Sequence, residues 1–241
     1  MSTRRDEHGR LLADKTHDVA VVVGGPDVPG GPGGSDGEGG RGARQAAAAT
    51  RLGRSVVVVA AVGQGADAAA AVSGARVLLL HCGVPDEELL AAAELCTGLL
   101  VLDPAPARPL PERLLARTDL LVPGAGELAV LAGAPVAPDV EGLAAQARAV
   151  RPRGTTIVAR GGLGSVVVTP GGVAEVPALR PPDGDGFVAA LVDALLDGAG
   201  LVDAARRAGS AGGSTDVSTD GSTDVSTDGS TGGVGERVEV L

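Results

Sequence analysis

Aromatic residues are almost missing from this chain: Phe187 stands alone among 241 residues, with no Trp and no Tyr. Any interior must be filled by Val, Leu and Ala, without the large buried areas that rings supply. Lysine is nearly absent too. Lys15 is the only one, every other basic side chain is Arg, and 30 acidic against 20 basic residues leave a net charge of -10. That balance argues against nucleic acid and anionic membranes as partners, because neither could be held through phosphate contacts. Two cysteines, Cys82 and Cys96, are too few for a disulfide framework and read as reduced thiols. The longest apolar run, Val56 to Val62, is too short to span a bilayer, and Met1 to Asp18 is charged with no apolar leader core. A soluble, cytoplasmic protein is expected.

What is present is a 44% apolar fraction, enough for a real core, together with 39 Gly and 16 Pro, which raise the entropy cost of folding. Short Val- and Leu-rich runs alternate with helical stretches. The strands are Val19 to Val23, Val56 to Val62, Val77 to His81, Leu99 to Leu102, Leu120 to Val122 and Thr156 to Ala159. A hairpin follows, Ser165 to Thr169 and Val173 to Val176, turned by Pro170-Gly171-Gly172. Helices are read over Ala43 to Leu52, Pro85 to Cys96, Pro111 to Arg117, Gly126 to Leu131, Val140 to Val150, Phe187 to Leu196 and Leu201 to Ala208. Continuous apolar strands separated by helices predict a three-layer, doubly wound, mostly parallel α/β sandwich. Its organisation reads as a polar lead-in over 1–18, an α/β domain over 19–212, a Ser/Thr/Asp/Gly repeat over 213–233 that reads as a solvated linker, and an edge strand within 234–241. From Gly24 to Gly42 the composition predicts a loop.

The stretch with most chemistry is Pro182-Asp183-Gly184-Asp185-Gly186-Phe187, a carboxylate between glycines directly before an apolar helix. Helix-start N–H groups beside a carboxylate suit a phosphate with a general base next to it, and they equally suit an ordinary N-cap. Four other stretches join it in order. Gly39-Gly40-Arg41-Gly42-Ala43-Arg44-Gln45-Ala46 resembles a GGKGANQA segment, and Asp103-Pro104-Ala105-Pro106-Ala107 resembles an NPAPA turn. Asp119-Leu120-Leu121-Val122-Pro123 with Glu127 resembles D-x-L-x-P-N-x-x-E, and Arg160-Gly161-Gly162-Leu163-Gly164 resembles a glycine-rich nucleotide turn. With Gly184 to Phe187 resembling the end of GAGDAF, the chain from Val19 to Ala208 resembles the ribokinase branch of the PfkB carbohydrate kinases.

The resemblance implies a ribokinase-like fold and ATP- and Mg²⁺-dependent phosphoryl transfer to a sugar hydroxyl. It makes Asp185 the general base, Gly184 and Gly186 the anion hole, Glu127 the residue that helps hold Mg²⁺, and Gly161 and Gly164 the nucleotide contacts. Asp27, Gly40, Arg41, Gly42 and Arg44 fall on the sugar side. The departures are specific. Pro182 and Asp183 replace a glycine and an alanine, Gly124 and Arg44 replace asparagines, Gly83 and Pro29 stand where acidic sugar contacts would be, and the lid strands between Asp27 and Gly39 and between Gly65 and Arg76 are missing. These favour a second reading, a remnant that only binds nucleotide or sugar. A third is an unrelated α/β binding module. Gly37 to Gly42 fits G-x-G-x-x-G but leaves no strand directly, Gly33 to Gly37 fits G-x-S-x-G without a strand-to-helix elbow, and His81-Cys82 reads as core.

Overall fold

The structure is a computed structural model that describes residues 4–5, 11–12, 15–22, 40–60, 62, 66–150, 154–178, 184–210 and 238–240. In chain order the elements are β1 (Arg4–Arg5), β2 (Leu11–Leu12), β3 (His17–Val22), α1 (Arg41–Arg51), β4 (Val56–Val59), α2 (Ala66–Gly74), β5 (Ala75–His81), α3 (Asp86–Leu95), β6 (Leu99–Asp103) and α4 (Glu112–Arg117). They continue with β7 (Leu120–Leu121), α5 (Ala125–Ala132), α6 (Val140–Val150), β8 (Thr155–Ala159), β9 (Ser165–Thr169), β10 (Gly172–Val176), α7 (Gly184–Leu196), α8 (Leu201–Ala208) and β11 (Val238–Val240).

One sheet carries the fold, in the order β10-β9-β8-β7-β6-β5-β3-β4-β11. From β11 to β8 every pairing is parallel, and the β8–β9–β10 edge is antiparallel. The reason lies in the strands themselves. All four residues of β4 are buried, as are five of the last six of β5 and four of the five in β6, so both faces must be covered by helices. Alternate residues serve opposite layers. Val19, Val21, Val56, Val58, Val77 and Leu79 pack with α1, α7 and α8, whose contacts are mostly alanines and Phe187. Ala20, Val22, Val57, Val59, Leu78 and Leu80 pack with α2, α3 and α4. A further cluster joins α5 and α6 to β8 and β9 through Leu128, Leu143, Val158 and Val166. At roughly 1.5–3 kcal/mol for each fully buried Val or Leu, these two aliphatic layers supply what aromatic residues usually would.

The three-layer, mostly parallel architecture is the one expected, with differences at particular elements. Arg41 and Gly42 are the first residues of α1, not loop, because Arg41 is anchored to a buried carboxylate described below. Between Gly65 and Arg76, where only missing lid strands were read, the Ala-rich helix α2 forms, alanine being the best helix former. It leads without a turn into β5, and a Cβ on Gly74 would lie 2.6 Å from Thr16 Oγ1, so a larger residue there would have to displace that hydroxyl. Helix α7 begins at Gly184, three residues before Phe187, which puts Asp185 inside its first turn. β4 stops at Val59, and β1 pairs with β2 as a separate two-stranded sheet.

Candidate active site

Parallel strands send their carboxyl ends to one edge of the sheet, where ligands of open α/β folds collect. Asp103 ends β6 there, and the N-termini of α1, α5 and α7 arrive beside it. They enclose a cleft of about 240 Å³ lined by Arg41, Gly124, Glu127, Gly161, Gly184 and Phe187, among others. Four segments that are far apart in sequence therefore share one cavity, with Asp103 behind Arg41.

Asp185, its side chain 17% exposed, is held by two arginines. Arg44 Nε donates to Oδ2 at 2.6 Å, and Arg41 Nε lies 3.4 Å from Oδ1. Arg41 Nε also donates to Asp103 Oδ2 at 2.7 Å, and Gln45 Nε2 donates to the same oxygen at 2.5 Å. Spacing explains the set: Arg44 and Gln45 lie three and four residues beyond Arg41 on α1, and each neighbours it on the helix surface. Asp103 has no solvent exposure, and its Oδ1 has no hydrogen-bond partner among the described residues. Burial pushes its carboxyl up to about 6, against the pull of Arg41. In the sequence Asp103 reads only as the first residue of a Pro-rich turn. Its signal was a carboxylate closing the apolar run Leu99 to Leu102, where a parallel strand delivers its last side chain to the ligand edge.

The remaining expected residues divide by position. Gly40 is the N-cap of α1, its carbonyl accepting from Arg44 N, and Gly42 is buried in the helix's first turn. Glu127 reaches the cleft from α5, and its Oε2 accepts the Gly124 N–H at 2.7 Å, so the carboxylate also caps its own helix. Gly161, at φ +57°, lines the cleft with open space where a Cβ would stand. Gly164 differs: at φ +88° it is buried, and a Cβ would sit 2.0 Å from Val176 O, so this glycine lets the turn pack on the end of β10. Asp27, Pro182, Asp183 and the repeat over 213–233 lie outside the described residues.

Other signals stay structural. His81 and Cys82 are buried, and burial pushes the Cys82 thiol up to about 12, which keeps it protonated and unreactive. Among the described residues no group of three or more His, Cys, Asp or Glu is placed to hold a metal ion, and no helix is long and apolar enough to cross a membrane.

Over residues 68–228 the sequence matches the family model described as pfkB family carbohydrate kinase, which is more than half of the chain. The chain belongs to the PfkB carbohydrate kinase family. Among curated members, the bifunctional ribokinase/ribose-5-phosphate isomerase A of Fructilactobacillus sanfranciscensis is 39% identical over 100 residues, 41% of this chain. The match spans 17% of that relative's length. Solved structures share the family fold. Arabidopsis thaliana ribokinase, complexed with ribose and ATP, aligns with a TM-score of 0.66 at 18% identity over 80% of this chain and 90% of its own. Thermotoga maritima ribokinase aligns at 0.60, with 20% identity over 80% and 87%. At such identities the likeness is one of fold.

Proposed function

We propose that the chain transfers the γ-phosphoryl group of ATP to a sugar hydroxyl, with Asp185 as general base. The observation that carries this reading is that Asp185, in the first turn of α7, follows Gly184 and faces Arg41, both of which line a cleft with Glu127 and Gly161. Family membership supplies the reaction class, and the ribose and ATP held by the Arabidopsis ribokinase support a sugar and a nucleotide as the two substrates.

In this reading the sugar lies on the side of Gly40, Arg41, Gly42 and Arg44, with Asp27 as a further contact, and the nucleotide lies along the turn of Gly161 to Gly164. The attacking hydroxyl takes the place of the Arg44 guanidinium at Asp185 Oδ2. Asp185 accepts its proton as the new O–P bond forms and the bond to the β-phosphate bridge breaks, releasing ADP. Backbone N–H groups around Gly184 and Gly186 face the transferred phosphoryl from the helix start, where the macrodipole favours negative charge. Glu127 fits Mg²⁺ as a single carboxylate at the cleft, which suits a cation carried mainly by phosphates and water; bound there with ATP it would neutralise phosphate charge. Glu127 would orient its water shell while remaining tied to Gly124 N–H.

One observation favours a second reading, a member that binds nucleotide or sugar without transfer: both carboxylate oxygens of Asp185 already face guanidinium groups. Turnover of ATP with a panel of sugars including ribose and fructose, in Mg²⁺, separates the two. The kinase reading expects sugar-dependent ADP release that falls about 10²- to 10⁴-fold in Asp185→Ala. Folded protein that binds ATP yet shows no sugar-dependent turnover would leave the binding-only reading standing.

A further inference from the structure

The Arg41 guanidinium lies against the start of α7. Its Nη2 is 3.3 Å from where a Cβ on Gly184 would stand, so the guanidinium is laid against the backbone of the helix's first residue. It lines the same cleft as Glu127 and Gly161, and its side chain is 29% exposed, open on the cleft side and clamped behind. The clamp is Asp103 Oδ2, which takes both Arg41 Nε at 2.7 Å and Gln45 Nε2 at 2.5 Å. A fully buried carboxylate with one oxygen lacking any hydrogen-bond partner is costly to keep in an apolar sheet edge unless it holds something in place. The sequence supplies a reason for such a cation. Pro182, just ahead of α7, has no N–H to offer a phosphate, and Asp183 adds negative charge at the same point.

We propose that Arg41 is a catalytic residue that receives the transferred γ-phosphoryl group at the start of α7, and that Asp103, with Gln45, is a positioning residue that acts through it. The inference rests on the kinase reading for the phosphoryl group's destination. A guanidinium presents its Nη groups as a planar fork matched to phosphate oxygens, and with Nε committed to Asp103 those groups are aimed forward. Arg41 thereby takes over part of the charge stabilisation that the glycine–alanine lead-in provides in the motif this segment resembles.

The test compares ATP with ADP on the full chain. Isothermal titration calorimetry of both nucleotides, with and without Mg²⁺, is run on wild type, Arg41→Met, Asp103→Asn and the double variant; the double variant removes both charges, so the interior keeps no unpaired carboxylate if Arg41→Met alone fails to fold. Arg41→Met is expected to weaken ATP about tenfold and leave ADP within about twofold, since only ATP carries the γ-phosphate. Asp103→Asn is expected to show the same selective loss to a smaller extent, and the double variant to be no worse than Arg41→Met, because Asp103 acts through Arg41. In turnover, kcat should fall about 10²-fold or more in Arg41→Met, with KM for the sugar within about threefold. An unchanged ATP-to-ADP ratio, or a raised sugar KM at unchanged kcat, would overturn the proposal and return Arg41 to the sugar. Absence of nucleotide binding in the wild type would overturn it as well. ATP binding that depends on Arg41 in a chain without sugar-dependent turnover supports the phosphate role while refuting the kinase reading.

Discussion

Helices α1 and α7 run side by side and are strapped together by arginine–carboxylate pairs at both ends, yet the two ends are built differently. At the far end Arg54 Nε donates to Asp193 Oδ1 at 2.6 Å, its Nη2 donates to Asp193 O at 3.0 Å, and a further pair reaches Asp197. None of those side chains leaves a buried polar atom unpaired, and Asp197 is half exposed. At the cleft end Asp103 is fully buried, and Gln45 Oε1, Asp103 Oδ1 and Asp185 Oδ1 have no hydrogen-bond partner among the described residues, Asp185 Oδ1 keeping only its 3.4 Å contact with Arg41. The same residue types thus make a closed strap at one end and an open, partly unsatisfied cluster at the other. Buried polar groups without partners call for a reason, and here they sit behind Arg41, which lines the cleft.

The comparison can be broken first through Asp103. Its carboxyl, ordinarily at 3.8, is pushed up to about 6, so on raising the pH the unfolded chain loses this proton before the folded one does. The stabilisation is fully present below about 3.8, falls as pH rises to about 6, and is level above that, a drop of about 3 kcal/mol. Urea midpoints for wild type and Asp103→Asn at intervals from pH 4 to 7 should give a difference curve with that slope. Asp18 and Asp197, whose carboxyls are shifted downward, oppose it but are present in both chains and cancel. A flat difference curve would mean that Asp103 is no strained member of the cluster.

A smaller effect is expected at the far end. Arg54→Ala should cost about 1 kcal/mol in chemical denaturation and leave ATP turnover unchanged, as befits a partly exposed strap. Loss of turnover there would show that the relative placing of α1 and α7 matters along their whole length, and the contrast between the ends would dissolve. The smallest stability change should come from Glu127→Gln. Its amide oxygen can still accept the Gly124 N–H, so unfolding should shift by less than about 0.5 kcal/mol, while the Mg²⁺ concentration for half-maximal turnover should rise about tenfold. Unchanged Mg²⁺ dependence would make Glu127 a helix cap and nothing more.

Several features were legible because they are local. The runs Val56 to Val59 and Leu99 to Leu102 are apolar at every position, and being short and bounded by turn signals they read as strands buried on both faces, from which the parallel sheet follows. Gly133 at φ +60° and Gly198 at φ +83° stand in left-handed backbone just past the ends of α5 and α7, as glycines at helix ends do. Helix α2 is hard to read in the sequence because Ala66 to Gly74 is mostly alanine, with Asp67 and Ser73 its only polar side chains, so periodicity has little to register.

Chain composition and the order of apolar runs determined by themselves the sheet, the layers and the placing of Asp185 before an apolar helix, since each depends on neighbours a few residues apart. Only the tertiary structure decided which charges meet. Arg44 and Asp185 are 141 residues apart, Arg41 and Asp103 are 62, and Gln45 and Asp103 are 58. No local pattern encodes those distances. They arise because β3 and β6 end on the same edge of the sheet with β5 between them, and α1 and α7 cover one face with their N-termini over that edge, so sheet order turns five scattered polar residues into one cluster.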